Sequence, residues 1–189
     1  MRGTSRWEGI VTGMMGAVAG LLAMRYYWQR VAPEVERQYG PDTGGPGANV
    51  YPDFLALDRP YYFGGRRYRD GESATEALGR LLYASVTGKE PQSEETKQLL
   101  SYLVHWGYGI FQGAVYGCQR RRAPLLDLGG GLNHAMRLWL LGDELMVPML
   151  GLQAGPTTIP PVQHVNRLGA HLFYGWATAL ATKLLQLIL

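Results

Sequence analysis

The sequence is short of cysteine, of clustered charge and of the short motifs that mark common catalytic sites. Cys118 is the only cysteine in 189 residues, which rules out an internal disulfide and leaves no Cys-based zinc site. No nucleophile elbow, P-loop, H-E-x-x-H or dinucleotide fingerprint occurs, so a non-enzymatic protein is expected. The formal net charge of +3 is small and scattered, so no nucleic-acid partner is expected. The one compact basic run, Arg120, Arg121 and Arg122, directly follows an apolar stretch. That placement reads as a cytoplasmic topology anchor rather than a phosphate patch.

What the chain has instead is long apolar runs. Leu99 to Cys118 carries no formal charge for 20 residues, about the length of a bilayer-spanning helix. Gly109, Gly113 and Gly117 recur every four residues, a spacing that lets another helix backbone come close. His105, Tyr108 and Gln112 form a neighbouring stripe that is expected to face a partner rather than acyl chains. Residues 9–28 form the first apolar run, with Arg2 and Arg6 before it and Arg25, Tyr26, Tyr27 and Trp28 closing it. Apolar residues continue past the Ala17–Ala19 triplet, so the run reads as a retained transmembrane helix and not a cleaved signal. Gly16 and Gly20 supply a second close-packing pair. Two further runs, about 125–150 and 168–187, complete the set.

The intervening segment differs in kind. Residues 33–97 hold 19 of the 33 Asp, Glu, Lys and Arg side chains. Within the expected extramembrane loop 33–92, Ser73 and Glu76 make an S-x-x-E capping box that opens a short amphipathic helix at about 74–86. The fold class read from this pattern is all-α: an integral membrane four-helix bundle forming a single domain, with helices at about 9–28, 98–118, 125–150 and 168–187. Four crossings put both termini on one side, and the arginines place that side in the cytoplasm.

His105-Trp106-Gly107-Tyr108-Gly109 and His171-Leu172-Phe173-Tyr174-Gly175 share the pattern H-x-x-Y-G. Two helical hairpins of the same direction, related by a pseudo-twofold axis along the membrane normal, would account for it.

The segments 104–117 (VHWGYGIFQGAVYG), 143–152 (DELMVPMLGL) and 169–177 (GAHLFYGWA) resemble the YagU-like family of bacterial inner-membrane proteins. The likeness covers roughly residues 73–183. It implies a multi-pass location in the bacterial inner membrane and supplies no catalytic residues, because the family's molecular function is itself unknown.

The chemistry left to weigh is intramembrane. His105 and His171 are read as hydrogen-bonding residues, with tyrosines Tyr108 and Tyr174 one turn later; ligation of a non-covalent haem or pigment is the alternative. Asn133, His134, Arg137 and Glu144 interrupt the third run. They read as a structural salt bridge from Arg137 to Glu144, or alternatively as a proton or ion path. No metal site and no cofactor are expected. The expected function is a structural or accessory subunit that packs against a larger membrane complex or another copy of itself. The alternatives are a small transporter or proton-conducting protein and a haem- or pigment-binding protein.

Overall fold

A computed structural model of the protein describes residues 6–39, 65–120, 127 and 129–188, and every regular element among them is helical. The first element is a continuous helical rod of 34 residues, Arg6–Tyr39. It comprises α1 (Arg6–Tyr26), a π turn (Tyr27–Val31) and α2 (Ala32–Tyr39). The sequence reading ends this helix at Trp28 and opens a loop at Pro33. The helix instead runs through Pro33. The wide π turn lies where a proline lacks its N–H and crowds the preceding carbonyl.

Helix α3 (Ala74–Thr87) starts from the Ser73–Glu76 capping box, in which both reciprocal bonds are formed, and stops at Gly88 in the left-handed conformation (φ 70°). Helix α4 (Glu94–Gln119) follows. The third apolar run is not one α-helix over 125–150. Residues 125, 126 and 128 lie outside the described residues, and Gly129, Gly130 and Gly131 all take positive φ. Helix α5 therefore begins only at Leu132 and ends at Arg137. It continues as a π-helix through Leu138–Met146 and one last turn, α6 (Val147–Met149). After a 3₁₀ turn at Pro156–Thr158, α7 runs from Pro161 to Ile188. It starts earlier than the apolar pattern indicates because Pro161 suits a first helical position.

The described chain falls into two compact units. The first contains Met1–Ala48, Gly109–Leu140 and Pro161–Leu189. The second contains Asn49–Tyr108 and Leu141–Pro160.

In the second unit, a Cβ on Gly79 of α3 would lie 2.9 Å from Leu100 Cβ, so the two helices are in close contact there. The stretch before α3 is pinned by two backbone bonds, from the N–H groups of Arg67 (2.8 Å) and Tyr68 (3.0 Å) to the Gly151 carbonyl. Arg80, almost wholly buried, forks onto Glu72 with bonds of 2.8 and 2.9 Å and reaches the Arg67 carbonyl at 2.6 Å. Its guanidinium holds the Glu72 carboxyl below the usual range, against the opposing effect of burial. This is a structural clamp between a loop and a helix.

Small or polar side chains make up much of the first unit's interior: Ala17, Ala135, Thr12, Thr178, Thr182 and Asn166 are at most 1 % exposed, enclosed together with Tyr116, Tyr174, Leu21 and Met24. Other large apolar side chains point outward, among them Met15 (51 %), Leu22 (52 %), Phe111 (60 %) and Trp176 (55 %). By length and composition, one helix among the described residues can cross a membrane, Arg6–Tyr39, whose 18-residue apolar window has a mean hydropathy of 1.4. Helices α4 and α7 have 26 and 28 residues. Their Gly, Tyr, His, Gln, Asn and Thr content keeps their hydropathy lower.

Candidate functional site

Glycine seams set the geometry of the first unit. A Cβ on Gly9 would lie 2.6 Å from the Gly117 carbonyl oxygen, Gly13 abuts Gly113 and Gly117, and Gly109 meets Leu21. Helices α1 and α4 therefore run antiparallel with their backbones in contact, as only side chains this small permit. Gly16 meets Thr178 and Thr182, while Gly20 meets Tyr174 and Thr178, so α7 is antiparallel to α1 as well. Gly131 and Ala135 close on Gly175, which sets α5 antiparallel to α7.

Polar bonds cross these seams. Tyr174 Oη donates to the Gly109 carbonyl at 2.6 Å, and Tyr27 Oη donates to Asn166 Oδ1 at 3.1 Å. At the end where α1 begins and α4 and α7 finish, a larger network forms. Gln186 donates to Thr12 Oγ1 (2.9 Å) and accepts from Arg120 (2.6 Å). Asp127 takes the Tyr116 hydroxyl, the Lys183 ammonium at 3.1 Å and, more distantly, the Arg120 guanidinium at 3.7 Å. Every charge in this network has an opposite partner, the condition under which such groups are tolerated away from water.

Outside that network, four enclosed polar atoms of the first unit have no hydrogen-bond partner: His134 Nε2, Trp139 Nε1, Arg167 Nη1 and Thr178 Oγ1; of these, His134 carries the titratable ring. It is 3 % exposed, its ring lies 5.2 Å from that of Tyr116, and its Nε2 has no hydrogen-bond partner. Arg137 and His171 lie within electrostatic reach of it. His171 bonds through Nδ1 to the Arg167 carbonyl one turn back, at 2.9 Å.

The residues singled out from sequence distribute as follows. Gly16, Gly20, Gly109, Gly113 and Gly117 all stand in the seams. His105 and Tyr108 were expected to face a partner helix, yet both lie on an exposed face of α4 in the second unit. The reason is geometric: a four-residue step drifts by about 40° around a helix of 3.6 residues per turn, so three steps carry His105 well away from Gly117. His105 lines a shallow groove with Thr75, Glu76, Gln98, Ser101 and Tyr102. Tyr174 is buried and His171 half-buried. Asn133 is half-buried and Arg137 exposed in the first unit, while Glu144 is half-buried in the second. Arg120 belongs to the Asp127 network; Arg121 and Arg122 lie outside the described residues.

No motif marks Tyr116, Asp127, Lys183 and Gln186 as members of one network, or Thr12, Thr178 and Thr182 as interior groups. The four-residue spacing of Thr178 and Thr182 was the available signal, since it repeats the glycine spacing of the facing helix. Among the described residues no three His, Cys, Asp or Glu side chains gather as metal ligands would. The chain matches no family model, no curated protein and no solved structure.

Proposed function

We propose that the protein is an integral membrane bundle that acts as a structural or accessory subunit without a reaction of its own. The observation that carries this reading is the inverted side-chain distribution of the first unit. Most of its large Leu, Met, Phe and Trp side chains face outward, Leu21 and Met24 excepted, while Ala, Thr and Asn are enclosed. In water that arrangement would leave many large apolar side chains exposed, which marks an interaction or membrane surface. In lipid it is the expected one, because helices associate there through small residues and polar bonds.

The four-crossing topology belongs to the same reading, with both termini and Arg120 to Arg122 cytoplasmic. It is supported by Arg6, Arg120 and Lys183 standing at or near one end of the α1–α4–α7 seams. The likeness to YagU-like proteins accords with a bacterial inner-membrane location.

Two repeated hairpins also belong to the proposal. In one, Gly113 packs against Gly13 and Ala17; in the other, Gly175 packs against Gly131 and Ala135. Each is the same Gly-x-x-x-Ala facing a single glycine. This register aligns Gly175 with Gly113, one turn from the alignment of the H-x-x-Y-G motifs, so His105 and His171 are not counterparts in it.

Reporter fusions after residues 60 and 120 test the topology and should report opposite sides; two reports from one side would refute it. Solubilisation in mild detergent, followed by identification of co-purifying membrane proteins, tests the accessory role. Stable co-purification of one defined complex is expected. A monodisperse single chain at native expression level would contradict it.

A further inference from the structure

The two hairpins give the chain an internal control for one of its buried residues. The seam contacts align Gly13 with Gly131, Ala17 with Ala135 and Gly113 with Gly175. Continued along the same helices, that register aligns Gly16 with His134 and Thr178 with Tyr116. Both of these cross-hairpin pairs are in contact. A Cβ on Gly16 would sit 2.7 Å from the Thr178 carbonyl oxygen, and the rings of His134 and Tyr116 are 5.2 Å apart. One of the two equivalent interfaces is thus closed by glycine and threonine, the other filled by an imidazole and a phenol. Packing of this architecture does not require an imidazole at position 134.

We propose that His134 is the proton-carrying group of a proton path through the bundle, accepting the proton at Nε2. This inference rests on the membrane reading above. The nitrogen is enclosed and unpartnered, and an orphaned polar atom in a native interior calls for a functional account. In the Nδ1–H tautomer Nε2 offers a lone pair. Protonation forms one N–H bond there, leaves an imidazolium and displaces nothing else; release restores the neutral ring.

The groups around it lead in from one end of the bundle. Tyr116 faces His134 from α4, its hydroxyl bonded to Asp127, and Asp127 is held by Lys183 and Arg120 at the terminal network. His171 faces it electrostatically from α7 and Arg137 from its own helix. From that end the Asp127 carboxylate is bonded to the Tyr116 hydroxyl, and the Tyr116 ring packs against the imidazole without a hydrogen bond to it. All three are proton-carrying groups.

The test uses full-length protein reconstituted into sealed phosphatidylethanolamine–phosphatidylglycerol vesicles containing a pH-sensitive dye, with potassium and valinomycin to balance charge. Wild type should collapse an imposed pH gradient at least tenfold faster than protein-free vesicles. His134→Gln, and the symmetrising pair His134→Gly with Tyr116→Thr, should insert normally and return to the protein-free rate. Wild-type flux equal to empty vesicles, or His134→Gln flux equal to wild type, overturns the proposal. Vesicle flotation separates this from the membrane reading: protein left unbound refutes that reading, whereas insertion without flux refutes only the proton site. Should the variants fail to insert, nitrogen-15 spectra of histidine in the wild type decide between pH 3 and 8. Titration of the His134 ring is the expected result, and a His134 ring that stays neutral throughout overturns the proposal.

Discussion

Tyr174 of α7 donates its hydroxyl proton to the carbonyl oxygen of Gly109 in α4, at 2.6 Å and with the tyrosine 2 % exposed. A carbonyl inside a helix keeps a second lone pair after accepting its own i+4 N–H. Glycine at 109 leaves that oxygen accessible from the side. Two parallel helices are thereby joined by a side chain-to-backbone bond, where a backbone acceptor cannot be mutated away. Tyr174→Phe removes the donor and retains the ring. The expected loss is about 0.5–1.5 kcal/mol, measured by unfolding in mild detergent; an unchanged midpoint would mean the bond contributes nothing.

Gly113 and Gly107 form a matched pair on one helix. A Cβ at Gly113 would lie 2.5 Å from the Gly13 carbonyl oxygen and closer still to Ala17, whereas a Cβ at Gly107 meets nothing within 4 Å. Gly113→Leu should therefore force α1 and α4 apart, costing upward of about 3 kcal/mol as overpacking without room to relax. Gly107→Ala should be neutral or stabilise by about 0.5–1 kcal/mol, since it only improves helix propensity. Equal thermal stability of the two variants would contradict the seam.

Met15 lies near the middle of α1 with its side chain 51 % exposed. On a surface wetted by water, Met15→Arg would change stability by less than about 0.5 kcal/mol. Facing lipid at mid-helix, it should cost about 2.5–3.5 kcal/mol of insertion. Reduced membrane-integrated yield, scored by glycosylation or reporter assays of insertion, is the expected outcome.

The Glu72–Arg80 clamp carries a pH dependence. The hydrogen bond from Arg80 holds the Glu72 carboxyl below its ordinary value. A carboxyl with a depressed folded-state pKa contributes stability that is fully present above its unfolded pKa of about 4.3. That contribution is lost as the pH falls through the lower folded value. Glu72→Gln should remove this acid sensitivity and cost about 1.5–3 kcal/mol at neutral pH, since Arg80 then keeps only the Arg67 carbonyl and the Glu90 carboxylate at 3.5 Å. Amide hydrogen exchange over residues 65–80 should increase accordingly, at neutral pH in the variant and only in acid for the wild type.

Local signals in the sequence located much of this architecture. The S-x-x-E spacing at Ser73 and Glu76 marks the start of α3 because a capping box is completed by residues three apart and needs no tertiary context. The glycine ladder at Gly109, Gly113 and Gly117 is likewise legible, because small residues at fixed spacing have few other uses in an apolar helix. What remained hidden depends on contacts between distant segments. Nothing near Asp127 in the sequence announces that Tyr116, Arg120 and Lys183 converge on it. The H-x-x-Y-G match drew attention to His105, which is exposed on α4. The enclosed imidazole is His134, which carries no motif at all. The continuation of the first helix past Pro33 was hidden for a different reason: a π turn absorbs a proline that, by propensity alone, ends a helix.

The central claim is that the outward-facing Leu, Met, Phe and Trp side chains are solvated by lipid. Alkaline carbonate extraction of membranes from cells expressing the full chain tests it most directly, since that treatment strips peripheral proteins and leaves integral ones. The account requires the protein to stay in the membrane pellet and to be released only by detergent. Recovery in the carbonate supernatant as a monodisperse, folded species would contradict it.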